Sequence, residues 1–272
     1  MASAPQQRIS VVTPSLDQGA FLDQTIASVL KQGYDNLEYI VIDGGSKDNS
    51  VEIIRKYADR LAYWASEPDE GQTQAINKGL RRITGDVWAF LASDDTYEPG
   101  ALQTVANAFT DPDVDVVYGN CHYINTHGIV TRTKRAGPFD RKHLLRNNCI
   151  WQPSVFLRRN VLERYGYLDE TLRYSMDYEY WIRISGGIRA RYVDAVLSNY
   201  RLHFESKSMR SVVEMSKEAM DVKHKYGVGW SADARYLWFW LAGARLYHFR
   251  RLLFDRIASM RKRKCHAKIG CK

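Results

Sequence analysis

The chain is predicted to be α/β, with a mainly parallel sheet flanked by helices. Three observations carry that expectation. Short β-branched runs alternate with stretches of helical spacing through the first 120 residues. Each run stops at a cluster of Gly, Asp, Ser or Pro, which is how strands end at turns. Apolar residues make up 45% and charged residues 26% of the 272 positions, a balance that builds a packed core and not a disordered chain.

Arg8-Ile-Ser-Val-Val-Thr13 is the first strand, stopped at Pro14. From Phe21, the positions Leu22, Ile26, Val29 and Leu30 fall on one helical face, so a helix is expected to about Gln32. Leu37–Ile42 is a second strand, closed by Asp43-Gly-Gly-Ser46. Asp48-Asn-Ser supplies cap residues for a helix through Tyr57. A third strand is expected near Leu61–Ala65, and a helix over about Gln72–Ile83. Asp86–Ala92 is a fourth strand ending at Ser93-Asp94-Asp95. Pro99 suits the first turn of a helix to Phe109, and Val114–Tyr118 is a fifth strand. Beyond residue 120 the pattern loosens. Val130–Arg135 reads as a hairpin arm, Trp151–Arg158 as a strand, Asn160–Tyr165 and Asp177–Ser185 as helices, and Arg191–His203 as a strand pair.

In sheets of this kind, ligands bind beyond the carboxyl ends of the strands. The polar clusters Thr13–Ser15, Asp43–Ser46, Glu67–Gly71 and Ser93–Asp95 all stand there. No G-x-G-x-x-G follows the first strand and no G-x-x-x-x-G-K-[ST] occurs, which removes the dinucleotide-binding and P-loop readings. Gly44-Gly45 is also compatible with a plain turn. The pair Asp94-Asp95 offers oxygen ligands in an open shell, which suits Mg²⁺ or Mn²⁺ bridging to a diphosphate. A capped strand-to-helix turn is its structural alternative.

Taken in order, these motifs resemble the family 2 glycosyltransferases, inverting enzymes with the GT-A fold, over about residues 8–208. Ile9-Ser-Val-Val-Thr-Pro-Ser15 looks like the family's first strand and nucleotide-binding turn. Asp43-Gly-Gly-Ser with Asp48-Asn-Ser looks like its second strand end. Ser66-Glu-Pro-Asp-Glu-Gly71 with Ala75-Ile-Asn-Lys-Gly79 looks like the third strand and its helix. Gly85–Asp95 looks like the metal-binding stretch. The resemblance implies that Asp43 accepts the imide N–H of a pyrimidine base, favouring a UDP- or dTDP-sugar. It implies that Thr13, Pro14 and Ser15 lie beside base and ribose, that Asp95 holds the divalent cation, and that Asp94 faces ribose or donor sugar. Ser93 stands where the family often has Asp. Glu67 and Asp69 are expected to shape the nucleoside pocket or to form a strand-end pair.

Tyr174-Ser-Met-Asp-Tyr-Glu-Tyr-Trp-Ile-Arg183 resembles the family's acidic catalytic segment, with Met176-Asp177 in place of its usual Glu-Asp. Asp177 is the expected general base, with Glu179 the alternative, and a helix cap is the structural alternative for Asp177. Tyr200–Ser208 resembles the segment that closes over the diphosphate. His203 is there a further metal ligand or a structural histidine, and Arg201 or Lys207 a phosphate partner. Trp151, in Trp151-Gln-Pro-Ser154, stacks on an acceptor sugar or packs in the core.

The formal net charge is +8, yet residues 232–272 carry 11 Lys/Arg and 2 Asp, leaving a charge of −1 on the rest. Domains are therefore expected at 1–231, catalytic, and 232–272, a basic aromatic tail. Aromatic residues from Tyr236 to Phe254 interleaved with Arg suit a helix lying on an anionic membrane surface. Packing on the body or on a second subunit, giving a homo-oligomer, is the alternative. No recognition motif points to nucleic acid. The opening MASAPQQRIS has no apolar h-region, and Cys121, Cys149, Cys265 and Cys271 form no C-x-x-C pair, so a reduced cytoplasmic setting is expected. The reading is metal-dependent sugar transfer to a hydroxyl of a lipid-linked or growing glycan, at the cytoplasmic membrane face. A sugar nucleotidyltransferase and an inactive glycan- or nucleotide-binding module are the competing readings.

Overall fold

The computed structural model describes residues 6–203 and 206–228. The tail expected at 232–272, and the domain boundary expected before it, lie outside the described residues. Two compact units meet in sequence at Arg210 and Ser211. The first holds the whole sheet.

Its leading half is built as the alternation predicts. Strands β1 (Ile9–Ser15), β2 (Leu37–Asp43), β3 (Tyr63–Ser66) and β4 (Val87–Phe90) run parallel in the order β3-β2-β1-β4. Helices α1 (Gly19–Leu30), α2 (Ser50–Lys56) and α3 (Gln72–Leu80) are the crossovers. β1 is buried along its full length, the mark of a strand covered on both faces. Ile9 and Val11 join Leu22, Ile26, Val29 and Ile54 in one core layer. On the other face α3 packs so closely that a Cβ on Gly79 would come within 2.4 Å of Val12 Cγ1.

The second half departs from the expected parallel pattern. Following β5 (Thr96–Tyr97) and α4 (Ala101–Ala108), β6 runs over Val116–Ile124 and pairs with β7 (Val130–Lys134) as a hairpin. Next come α5 (Arg141–Arg146), β8 (Val155–Arg158), α6 (Arg159–Tyr165), α7 (Met176–Ile184) and β9 (Ala190–Arg201). β8 is antiparallel to both β4 and β6, and β9 is parallel to β6 and antiparallel to β5. The sheet is therefore mixed, and it continues as β4-β8-β6-β9-β5 with β7 on the edge of β6. After β9 comes the short α8 (Lys207–Arg210); the described part of the second unit is α9 (Val212–Lys225).

Several local expectations shift for identifiable reasons. The strand pair at 191–203 is one 12-residue strand, because β6 pairs with it from Ala190 to Arg201 and holds it extended across its polar residues. Residues Gln152–Ser154 form a 3₁₀ turn at Pro153, so β8 starts only at Val155. α4 begins at Ala101 and not at Pro99, since Gly100 takes the left-handed conformation (φ 76°). α5 was not expected, although Asp140 accepts from the backbone N–H groups of Lys142 and His143 and is a legible cap signal. Cys121 and Cys149 are free thiols, and Cys265 and Cys271 lie outside the described residues. No helix among the described residues is long and apolar enough to cross a membrane.

Candidate active site

The site stands beyond the carboxyl ends of β1, β2, β3 and β4. Two crossing loops are laced together there. Asp17, at φ 50°, accepts from Lys47 N–H at 2.7 Å and donates its own N–H to Ser46 Oγ at 2.8 Å. Asp48 accepts from Gly19 N–H, and Gln18 N–H donates to Ser50 Oγ. Positive φ at a non-glycine residue is strain held by these bonds.

Asp43 ends β2 with no exposed surface. Its carboxylate accepts from the N–H groups of Gly45 and Ser46 and from the hydroxyls of Ser46 and Ser66. The carboxylate expected on a base is thus spent on folding its own turn. Asp69 takes the open position instead. It lies against Gly44, where a Cβ would meet Asp69 Oδ2 at 2.6 Å, and Oδ1 accepts from Gly71 N–H. Burial, with Asp43 and Glu67 nearby, holds the Asp69 carboxyl above its ordinary value. Glu67 turns outward to Lys78 at 2.9 Å, so it forms a surface pair and no pocket wall. Thr13 is corrected too: its hydroxyl faces Tyr39 OH in the core at 3.0 Å. Pro14 and Ser15 are buried at the strand end, and Ser15 Oγ has no hydrogen-bond partner.

Ser93-Asp94-Asp95 forms the next corner. The Thr25 hydroxyl lies 2.8 Å from Ser93 O and 2.7 Å from Asp95 O, fixing the turn from α1. Asp95 Oδ1 accepts from Arg201 N–H at 2.8 Å, while Asp95 Oδ2 is buried without a hydrogen-bond partner. Burial, and then Asp94 beside it, push the Asp95 carboxyl well above the usual carboxylate range. His203 Nε2 meets Asp94 Oδ2 at 2.9 Å, so the histidine expected with Asp95 pairs with Asp94. Among the described residues no group of three or more His, Cys, Asp and Glu is placed to hold an ion. The orphaned Asp95 oxygen, with Asp94 and His203 alongside, nevertheless fits an open-shell cation such as Mg²⁺ or Mn²⁺. Such ions take one or two carboxylates and complete their shell with phosphate and water.

Arg201 corrects a further expectation. The residue is 1% exposed and its guanidinium is committed internally. It donates to the carbonyls of Asp94, Asn125 and Thr126 and to Gln24 Oε1, and it stacks over Phe21. A guanidinium so engaged braces the Asp94 turn against the β6–β7 turn and does not reach a phosphate.

Asp177 sits in the first turn of α7, whose N-cap is Ser175, so it is not the cap. The preceding loop is pinned from two sides. From α3, Asn77 donates to Leu168 O and accepts from Leu168 N–H, and the Thr73 hydroxyl donates to Leu172 O. From α7, Arg183 donates to Tyr165 O and Tyr167 O. Glu179 is buried and binds Arg183 through Oε2 at 2.9 and 3.2 Å. That pairing makes Glu179 a positioning residue and removes it as the alternative base. Asn77, Thr73, Thr25 and Arg183 were not singled out from sequence, because a polar side chain on a helix carries no mark of the loop it will meet. Lys207 Nζ lies 3.3 Å from Gln72 Oε1 and over the Tyr174 ring. Trp151 meets Tyr123 edge-on, with Lys134 Nζ 5.0 Å from its ring centroid. One face of the ring therefore carries an ammonium.

Known proteins share this chain's fold and sequence pattern. The family model "Glycosyl transferase family 2" matches residues 10–183. The UDP-Glc:alpha-D-GlcNAc-diphosphoundecaprenol beta-1,3-glucosyltransferase WfgD of Escherichia coli is 28% identical over 213 residues, 77% of this chain and 83% of that protein. The S. aureus TarS 1–349 structure, in complex with UDP-GlcNAc, superposes with a TM-score of 0.64 at 18% identity, covering 79% of this chain and 65% of that one. The mannosyltransferase PcManGT from Pyrobaculum calidifontis, in complex with GDP-Man and Mn2+, gives 0.61 at 21% identity, covering 89% and 70%. Three Rickettsia glycosyltransferases also match, and the chain spans 35%, 64% and 35% of their lengths. A GT-A sheet, acidic strand ends in the family's order and a family match over more than half of the sequence lead to one conclusion: the chain belongs to glycosyltransferase family 2.

Proposed function

We propose that this protein transfers a sugar from a UDP- or dTDP-sugar to a hydroxyl of a lipid-linked or growing glycan, with inversion at the anomeric carbon. One observation carries the reading. Ser15, Asp69, Asp94 and Asp95 stand at or just past the ends of parallel strands, and His203 meets Asp94 there; Asp177 opens α7 behind a pinned loop.

In this reading the open carboxylate of Asp69 takes the base imide N–H, while Asp43 keeps the surrounding turn folded. Ser15 lies toward the nucleoside. Asp94, Asp95 and His203 would hold Mg²⁺ or Mn²⁺, which when bound supplies positive charge against the departing diphosphate. Asp177 accepts the proton of the acceptor hydroxyl. The acceptor oxygen forms its bond to the anomeric carbon as the bond from that carbon to the diphosphate oxygen breaks, and the electron pair leaves with the nucleoside diphosphate. One base suffices for a single inverting displacement. The E. coli relative, by its name, acts on a diphosphate-linked lipid acceptor, which supports that acceptor class here. The basic aromatic composition of residues 232–272 supports work at an anionic, cytoplasmic membrane face.

Transfer from radiolabelled UDP-, dTDP- and GDP-sugars tests the proposal. Asp177→Asn is expected to lower kcat by about 10²–10⁴-fold while UDP affinity stays unchanged. Asp95→Ala is expected to abolish Mn²⁺-dependent UDP binding. Full activity in Asp177→Asn removes the base assignment, and UDP binding without transfer to any acceptor favours the inactive-module reading.

A further inference from the structure

The β6–β7 hairpin carries two cations that the site described above does not use. Lys134 and Arg132 lie opposite Cys121 and Tyr123 in the antiparallel register, and Cys121 and Tyr123 lie beside Ser198 and Tyr200 of β9. Residues opposite one another in neighbouring strands share a face. Lys134, Arg132, Tyr123 and Tyr200 therefore stand on one side of the sheet, where Trp151 joins them against Tyr123.

Lys134 Nζ is held over two rings, 5.0 Å from the Trp151 centroid and 5.3 Å from that of Tyr123. Among the described residues neither Lys134 nor Arg132 has a carboxylate at salt-bridge distance, whereas the adjacent Arg135 does, at Asp194. Burial, and then the charge of Arg132, hold the Lys134 ammonium below its ordinary pKa, as expected for a cation awaiting an anion. An ammonium braced by aromatic faces is pre-positioned and partly stripped of water, and a phosphate oxygen is the partner that restores both losses.

Position decides which phosphate. Tyr200 directly precedes Arg201, whose N–H holds Asp95, and Ile124 directly follows Tyr123 and lies opposite Arg201 in the register. β7 stands two strands from β9, roughly 10 Å across the sheet. That offset sets the cations apart from the corner at Asp94 and Asp95, on the side from which an acceptor saccharide would enter.

Resting on the glycosyltransferase reading, we propose that Lys134 and Arg132, braced by Tyr123 and Trp151, form an acceptor subsite for a phosphate esterified to the saccharide that receives the sugar. Trp151 acts there as the brace of a cation and is not a sugar platform. The phosphate has two sources, a lipid diphosphate or a phosphate within a glycan, and both meet the same cations.

Titration of the full chain in saturating UDP and Mn²⁺ tests this with three probes: N-acetylglucosamine 1-phosphate, its neutral methyl glycoside, and geranyl diphosphate. The phosphorylated sugar is expected to bind about tenfold or more tighter than the methyl glycoside. The double variant Arg132→Gln/Lys134→Gln is expected to erase that preference and leave UDP affinity unchanged, and Lys134→Arg to retain most of it. Tight binding of geranyl diphosphate that is lost in the double variant assigns the phosphate to a lipid diphosphate; its failure to bind assigns it to a glycan phosphate. Equal binding of charged and neutral sugars overturns the subsite, as does a preference that survives the double variant. Loss of anionic-vesicle binding in the double variant, with the sugar-phosphate preference intact, assigns the cations to a membrane surface and also overturns it. Should wild-type protein fail to bind UDP, the catalytic reading falls. The same titrations in EDTA without UDP then judge the subsite alone.

Discussion

Arg201 is the last residue of β9, and its charge alone suggests a phosphate partner. Its surroundings give it three carbonyls, one amide oxygen and an aromatic face. Burial lowers its pKa, with Asp95 and Asp94 opposing that shift. Arg201→Met would leave those acceptors buried and unpaired, at a cost of about 3 kcal/mol or more. The expected outcome is a lower urea midpoint together with weaker Mn²⁺-dependent UDP binding, because the Asp94 turn loses its brace. A loss below about 1 kcal/mol would show that the guanidinium does not hold the turn. The same principle separates Glu179 from Asp177. Two carboxylates in one helical turn look alike in sequence, and it takes the fold to pair Glu179 with Arg183. Residue types were legible at nearly every site position. Which atom each side chain meets was not, because partners such as Asp94 and Arg201 are 107 residues apart in sequence.

Whole elements were far more legible than contacts. β1, β2, β3 and β4 and their crossover helices follow from β-branched and helical apolar patterns and from turn residues, because a strand covered on both faces reads as a mainly apolar run. The mixed half was harder to read. An antiparallel strand such as β8, only four residues long, carries too few positions to fix its partner or direction. The α3–β1 contact gives the test at this scale. Gly79→Ala puts a methyl 2.4 Å from Val12 Cγ1, and overpacking of this kind costs about 1–3 kcal/mol. Chemical denaturation should show that loss, and Val12→Ala in the same chain should recover part of it. Because Asn77 and Thr73 on α3 hold the loop before Asp177, kcat should fall in the single variant and rise again in the double. A kcat that ignores both changes would disconnect α3 from the catalytic segment.

Across the molecule, Glu38 links three segments of the sheet unit. Burial raises its carboxyl, but hydrogen bonds from Ser10 and Thr84 and the charge of Arg8 outweigh burial and hold it below its ordinary value. A carboxyl lowered in the folded state contributes stability above its unfolded pKa of about 4.3, and that contribution is lost as pH falls through the folded value. Glu38→Gln should therefore be less stable than wild type by about 1–3 kcal/mol at neutral pH. The gap should narrow as pH falls below the unfolded value and through the lower folded one, and a gap independent of pH would assign the effect to packing. Read alone, the sequence determined the α/β class, the parallel leading half and the strand-end cluster of acids, since these follow from short-range period and spacing, and its motifs carried the resemblance to the family. Tertiary structure alone decided that Asp69 and not Asp43 is the open carboxylate, that His203 meets Asp94, that Arg201 is a brace, and that Lys134 is held ready over two rings. Those outcomes depend on burial and on partners distant in sequence, and a linear pattern records neither.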